Sequence, residues 1–385
     1  MITTPLTDAL VRGAAELEQT ARGVLPHRLP AWVRTRFPDP QLMGAESRPS
    51  GVRIALATTA STVELVLHTT YASYRGTTRP RGCVDLVVDG VDVASRQLDG
   101  GDHVETDLAT GTTAVHEGDA CTVRFTGLST EDKTVEIWLP HNETVHLVEL
   151  RTDAPVRPVE SGRRIWLHHG SSISHGSNAT RPTGIWPAVA ARRGDVELHS
   201  LGFGGSAMVD PFTARVMRDR PADLISVKLG INVANFDLMR LRAFVPAVHG
   251  FLDTIRDGHP DTPLVLMSPI FCGIYEDTPG PGGMDLDALA EGRVVFTATG
   301  PHGPLPQLTL KIIRDALASV VDNRDDDPNL HYLDGTTLYG EQDAVAHPLP
   351  DALHPDAETH ELMGRRFAEH AFAPGGPFSL RATPA

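Results

Sequence analysis

The sequence predicts two folds in series, an all-β sandwich followed by an α/β domain with a parallel sheet covered on both faces. Three observations carry this. From Val52 to about Thr152 apolar and polar residues alternate with a period of two. From Arg163 onward short apolar strands alternate with helical stretches. Between them lies DAPVRPVESG, Asp153 to Gly162, where Pro, Gly and Ser break both patterns. A chain of 385 residues is long for one core, so two domains are the natural expectation.

Residues 5–22 place Leu6, Leu10, Ala14 and Leu17 on one helical face, which predicts a short amphipathic helix. LPHRLPAWVRTRFPDPQL then reads as a strap, ending near residue 50, that packs through Trp32 and Phe37 because large aromatic surfaces are costly to leave in water. The segments VRIALATT, TVELVLHTT, CVDLVVDG, VDVASRQL, CTVRFTG, KTVEIWLP and TVHLVELRT are separated by Gly, Asp, Asn and Ser turns. They read as strands of a jelly-roll-like sandwich over 51–153. Residues 154–162 read as a linker and 163–385 as the second domain.

In that domain the strands RRIWLHH, DVELHSLGF, DLISVKLGI, TPLVLMSPI and NLHYLDG alternate with helices around Ile185–Arg193, Pro211–Asp219, Leu238–Asp257, Leu308–Val321 and Glu358–Phe372. Such alternation builds a parallel sheet through right-handed crossovers. Gly273 to Pro306 is rich in Gly, Pro and acidic residues and too long for a simple connection, which marks it as a functional or mobile loop and a candidate for part of a lid.

Bulk properties exclude several function classes. A formal net charge of −15 argues against a nucleic-acid footprint, which needs a clustered positive surface. Cys83, Cys121 and Cys272 lie far apart with no C-x-x-C spacing, so neither a zinc site nor a disulfide framework is indicated, and a reducing compartment fits. The amino-terminal segment carries acidic residues and lacks a continuous apolar stretch, and no run approaches a membrane span. A cytoplasmic location with no membrane partner is therefore expected.

The chemistry-bearing residues fall at the carboxyl ends of the predicted parallel strands, where open α/β sheets place their sites. Ser172 follows the first strand in GSSIS, Gly205 the second in LGFGGSAM, and Asn232 the third in KLGINVAN. Asp351 and His354 stand in PDALHPD before the final helix. Acyl transfer to serine needs a nucleophile, a base within hydrogen-bond reach, a group orienting that base, and donors aimed at the oxyanion. Ser172, His354 and Asp351 fit the first three roles. The N–H of Gly205 with the amide of Asn232 fits the fourth. His175 and Asn178 border the nucleophile and are candidates for substrate contact. His168 and His169 alternate faces of the first strand, so His169 is a candidate for the pocket floor, while adjacent strand histidines point apart and cannot chelate one ion.

At these four blocks the chain resembles the SGNH hydrolases, the GDSL-like esterase/lipase family. GSSIS is similar to the family's Gly-Asp-Ser block, LGFGGS to its glycine block, LGIN to its Gly-x-Asn block and DALHP to its Asp-x-x-His-Pro block, across residues 163–372. The resemblance implies a flavodoxin-like three-layer domain with Ser172 as nucleophile, His354 as base, Asp351 as orienter, and the N–H groups of Ser172 and Gly205 with Asn232 as the oxyanion hole; no cofactor or metal is expected. Ser171 stands where the family's first block has aspartate, and Val233 where an aspartate usually follows the asparagine. Neither replaced residue breaks bonds in the family, so the departures bear on pocket shape. The β region ahead of this domain makes the chain similar to two-domain members, including esterases that remove acetyl groups from sugars.

Three functions compete on this reading. One is a serine esterase releasing a small acyl group, most simply acetyl, from a polar or sugar-like alcohol. The second passes the same acyl-enzyme to a small metabolite as an acyltransferase. The third is a carbohydrate-binding protein with an inert hydrolase domain, against which both nucleophile and base are present. The expected partner is a small-molecule ester, a carbohydrate or a natural product.

Overall fold

The computed structural model describes residues 1–77, 79–108, 110–301 and 305–379. Its contacts divide into two compact units. One is Met1–Gly162 with Ala179–Gly184, and the other is Arg163–Asn178 with the chain from Ile185 onward.

The first unit is built of two sheets. Among the described residues one has eight strands, running Thr112–His116, Asp102–Asp107, Thr62–Tyr74, Thr144–Thr152, Gly23–His27, Glu16–Thr20. Ile2–Thr4 is added on Thr144–Thr152, and Cys121–Thr126 on Thr62–Tyr74. The other has six, running Val156–Pro158, Arg53–Thr58, Lys133–Trp138, Cys83–Val88, Val91–Gln97, with Val11–Arg12 on Arg53–Thr58. Inward residues of both, such as Ile54, Leu56, Leu65, Leu67, Val135, Ile137 and Leu147, share one core and are fully buried. Pairing is antiparallel apart from the parallel ladder of Thr62–Tyr74 with Asp102–Asp107. Ala179–Gly184 belongs here too, its Thr183 N–H and hydroxyl donating to the buried Asp85 carboxylate at 3.1 and 2.6 Å.

Three expectations for this region are corrected. Residues 5–22 form no helix: Val11–Arg12 and Glu16–Thr20 are strands, and the remainder is turns. Leu6 and Leu10 are still buried, at 8 % and 3 % exposure, and Leu17 partly so, but the sheets bury them. Gly13 turns the chain in the left-handed region at φ 87°, a conformation that ends a helix. Leu10 then offers its carbonyl to Ala55 N–H at 2.8 Å. Non-local hydrogen bonds thus outweigh a periodicity that both structures satisfy. The strap is anchored by Leu29, Val33 and Leu42, whereas Phe37 stays 44 % exposed. Finally, the linker is an edge strand, Val156–Pro158 on Arg53–Thr58. Proline is tolerated there because an edge strand has one side without ladder bonds.

The second unit contains a five-stranded parallel sheet. Its elements are β1 (Ile165–Gly170), α1 (Ser172–His175), α2 (Trp186–Arg193), β2 (Glu197–Gly202), α3 (Pro211–Asp219), β3 (Leu224–Lys228), α4 (Ile231–Asn235), α5 (Leu241–Gly258), β4 (Leu264–Met267), β5 (Gly282–Met284), α6 (Leu286–Ala290), β6 (Phe296–Ala298), α7 (Leu310–Asp322), β7 (Leu330–Leu333), α8 (Glu341–Ala346) and α9 (Ala357–Ala371). Strand order is β2-β1-β3-β4-β7, all parallel, which is the doubly wound flavodoxin-like order. The strands are mostly buried, polar residues such as His168, Ser200 and Lys228 included, because helices cover both faces. α5 buries Phe244, Val248, Phe251, Leu252 and Ile255 along one stripe. α9 lies close to α2, since a Cβ on Gly364 would stand 2.6 Å from Val189 Cβ. Against that pair Trp166 stacks on Phe367, ring centroids 5.0 Å apart.

Among the described residues no helix is long and apolar enough to cross a membrane. The stretch expected to be a functional loop contains the two-stranded hairpin β5–β6 with α6 between its strands. Residues 302–304, inside that expected loop, lie outside the described residues.

Candidate active site

The site grows from the turn between β1 and α1. Ser171 caps α1, its Oγ accepting from Ile173 N–H at 3.4 Å, so this serine, standing where the resembled family has aspartate, takes a structural part. Ser172 is the first residue of the helix, and its N–H has no intrahelical acceptor. The turn is crowded. A Cβ on Gly170 would overlap Ser174 Oγ, and one on Gly202, at the end of β2, would stand 2.6 Å from both His175 N and Ser174 C. Two glycines at neighbouring strand ends therefore let α1 cross directly over the sheet edge.

His354 reaches back to this turn from a point 182 residues further along the chain. Its Nε2 lies 2.9 Å from Ser172 Oγ, and its Nδ1 lies 2.8 Å from Asp351 Oδ2. The hydrogen bonds set the tautomer: Nδ1–H donates to the carboxylate and Nε2 is left to accept from the serine hydroxyl. Asp351 Oδ1 accepts from the N–H groups of Leu353 and His354 at 3.0 and 2.7 Å. Burial works to raise the Asp351 pKa, but the bond to His354 and these backbone donors outweigh it, and the carboxyl titrates below its ordinary range. Within the loop Ala352 takes a left-handed φ of 66°, and its carbonyl accepts from the buried Cys272 thiol at 3.4 Å. Burial pushes that thiol up to about 12, so it stays protonated and can donate.

The candidate oxyanion donors lie beside the serine. A Cβ on Gly204 would stand 3.8 Å from Ser172 Cβ, which places the Gly204-Gly205 turn against Ser172. Gly205 itself needs the left-handed region, at φ 68°. Asn232, only 3 % exposed on α4, accepts from Ala207 N–H through Oδ1 at 3.0 Å. With the carbonyl end so tied, the NH2 end is the one left to donate.

The remaining candidates are redistributed. His175 is buried, and its Nδ1 accepts from Gly204 N–H at 3.3 Å, so it holds the glycine turn. Exposed Asn178 donates from Nδ2 to Asp351 Oδ2 at 3.1 Å, which makes it a partner of the carboxylate. His169 does not reach a pocket floor. It is fully buried between Phe203 and Phe251, with Nδ1 bonded to Leu201 O, and burial lowers its pKa to about 4. His168 on the opposite face bonds Ser226 and Ser174 and is equally enclosed. Helices on both faces of the sheet leave neither histidine a route to the strand ends.

Sequence reasoning missed two further residues. Phe296 of β6 donates its N–H to Asp351 O at 2.9 Å and sets its ring edge-on to the His354 imidazole, centroids 5.3 Å apart. His360 on α9 bonds Ser177 O at 2.9 Å and accepts from Trp186 N–H, stitching the segment after α1 to α2 and α9. No local pattern marks either residue, because both act through partners more than 50 positions away.

The family model of the GDSL-like lipase/acylhydrolase family matches residues 169–362, and that of the SsfX3 N-terminal domain matches residues 10–148. Comparison with curated proteins finds no match. Among solved structures the chain is similar to a salicylyl-acyltransferase, SsfX3, from a tetracycline biosynthetic pathway, with 26% identity, 94% of each chain covered and a TM-score of 0.77. It shares its fold with a GDSL-like lipase described as putative from Bacteroides ovatus ATCC 8483, at 19% identity, 93% of each chain and a TM-score of 0.64. It also shares it with a family two carbohydrate esterase from Clostridium thermocellum, at 15% identity, 83% of this chain and 91% of that one, TM-score 0.55. The matched model spans half of the chain and contains the serine, glycine, asparagine and histidine positions described above, and the protein is an ester-acting enzyme of the GDSL-like lipase/acylhydrolase family.

Proposed function

We propose that the protein cleaves small acyl esters, most simply acetyl esters of a polar or sugar-like alcohol, through an acyl-enzyme on Ser172. The observation that supports this reading is the continuous line from Ser172 Oγ through His354 to Asp351, at 2.9 and 2.8 Å. Ser172 Oγ attacks the ester carbonyl carbon while its proton passes to His354 Nε2. The negative oxygen is held by the N–H groups of Ser172 and Gly205 and the amide of Asn232. As the C–O bond to the alcohol breaks, the leaving oxygen takes the proton from Nε2. Water then gives a proton to Nε2 and attacks the acyl carbon, the C–Oγ bond breaks, and Oγ recovers its proton. Asp351, held ionised, keeps the imidazole in the required tautomer and stabilises the imidazolium. Hydrolysis of 4-nitrophenyl acetate tests the proposal: turnover is expected in the parent and lost in Ser172→Ala, and activity retained by the variant refutes it.

A second reading replaces water by an alcohol or amine acceptor, making an acyltransferase for a small metabolite. It is favoured by the 26% identity to a salicylyl-acyltransferase across 94% of both chains, with the matching N-terminal domain model. Product analysis with an added alcohol separates the two, since free acid as the sole product counts against transfer.

A further inference from the structure

We infer that Phe296 walls the part of the site occupied by the alcohol, both the departing alcohol and any alcohol acceptor, and favours alcohols that present a ring. The inference rests on the acyl-Ser172 reading and extends it to specificity. In that chemistry the imidazole gives its proton to the leaving oxygen and takes one from the incoming oxygen, so the alcohol lies on the imidazole's side of the acyl-serine. A side chain packed on the imidazole is therefore within reach of the alcohol. Phe296 packs there, its ring meeting the His354 ring at 77° with centroids 5.3 Å apart, while the residue remains half-buried.

The hairpin that carries Phe296 is tied to both sides of the site. On the histidine side Phe296 N–H donates to Asp351 O at 2.9 Å. On the asparagine side the hairpin's base lies against α4, two to three residues beyond Asn232: a Cβ on Gly280 would overlap Ala234 O, and one on Gly282 would overlap Asn235 Oδ1. The Tyr275 hydroxyl donates to Asn235 Oδ1, and Gln307 Nε2 donates to Gly280 O at 3.0 Å. The ring is thus presented from a braced support, and an aromatic wall of this kind contributes through stacking with a ring of the ligand.

The test uses the full-length enzyme and two acetate esters of primary alcohols, benzyl acetate and propyl acetate, which share the acyl group and differ in the ring. In Phe296→Ala the ratio of kcat/KM for benzyl over propyl acetate is expected to fall about three- to tenfold, the size of one aromatic contact. In Phe296→Tyr it is expected to hold. The backbone bond to Asp351 survives either substitution, and Phe296→Leu, which keeps the apolar volume, serves if the alanine variant does not fold. An unchanged ratio overturns the inference, whether both rates fall together, as for a residue that only props His354, or neither falls. Ser172→Ala run beside them reports on the acyl-serine reading separately.

Discussion

At the residue scale the site depends on side chains whose far ends are tied down. Asn232 is turned by Ala207 N–H, His354 by Asp351, and Asp351 by two backbone donors and Asn178. Asn232→Ala is expected to lower kcat by about two to three orders of magnitude with little change in KM, because in the proposed mechanism its donor acts on the oxyanion more than on the ground-state carbonyl. Steady-state kinetics on 4-nitrophenyl acetate checks this. Asn178 contributes one bond to a charged acceptor from an exposed position, so Asn178→Ala is expected to lower kcat/KM only about fivefold, below the full strength of a charge-assisted bond. A loss as deep as that of Asp351→Ala in the same assay contradicts this ranking. Both residues were visible in the sequence as candidates. The direction in which Asn178 acts was not, since its contact is with a residue 173 positions away.

At the scale of elements, the strand-to-helix turn works because β1 and β2 end in glycine where α1 crosses. Gly202→Ala would drive a methyl group into the backbone at Ser174 and His175, and it is expected to destabilise the protein by about 1–3 kcal/mol, seen as a lower Tm. In β3, Lys228 is only 2 % exposed and its Nζ has no hydrogen-bond partner among the described residues, and burial lowers its pKa to about 7. An ammonium there is costly, so Lys228→Met is expected to stabilise the protein by about 1–4 kcal/mol at neutral pH and below, measured by denaturant unfolding. The parallel strands and long helices of this unit were legible from their periodicity. The short α1, α4 and α6 and the hairpin were not, since segments of three to five residues hold too few apolar positions to show a period.

Across the whole molecule, buried neutral histidines make the second unit sensitive to acid. Burial lowers the pKa of His169 and His360 to about 4 and that of His168 well below its ordinary value. Above about pH 6.5 these groups are neutral whether the chain is folded or unfolded and cost nothing. As pH falls toward 4 the unfolded chain takes up protons that the folded chain refuses, so stability declines, by about 2 kcal/mol each for His169 and His360 at pH 5. Thermal unfolding is expected to show a lower Tm at pH 5 than at pH 7, and an equal or higher value contradicts the assignment. By itself the sequence determined the strand-helix alternation, the period-two region before it, and the identity and order of Ser172, Gly205, Asn232, Asp351 and His354, because each sits at a strand end or in a short block that local chemistry marks. Tertiary structure alone decided that residues 5–22 join the sheets, that His169 is sealed in the core, that His175 and Asn178 brace the site, and that Phe296 stands beside His354. Those outcomes depend on backbone hydrogen bonds and packing between distant segments, and two backbone states can satisfy the same local pattern until such contacts choose between them.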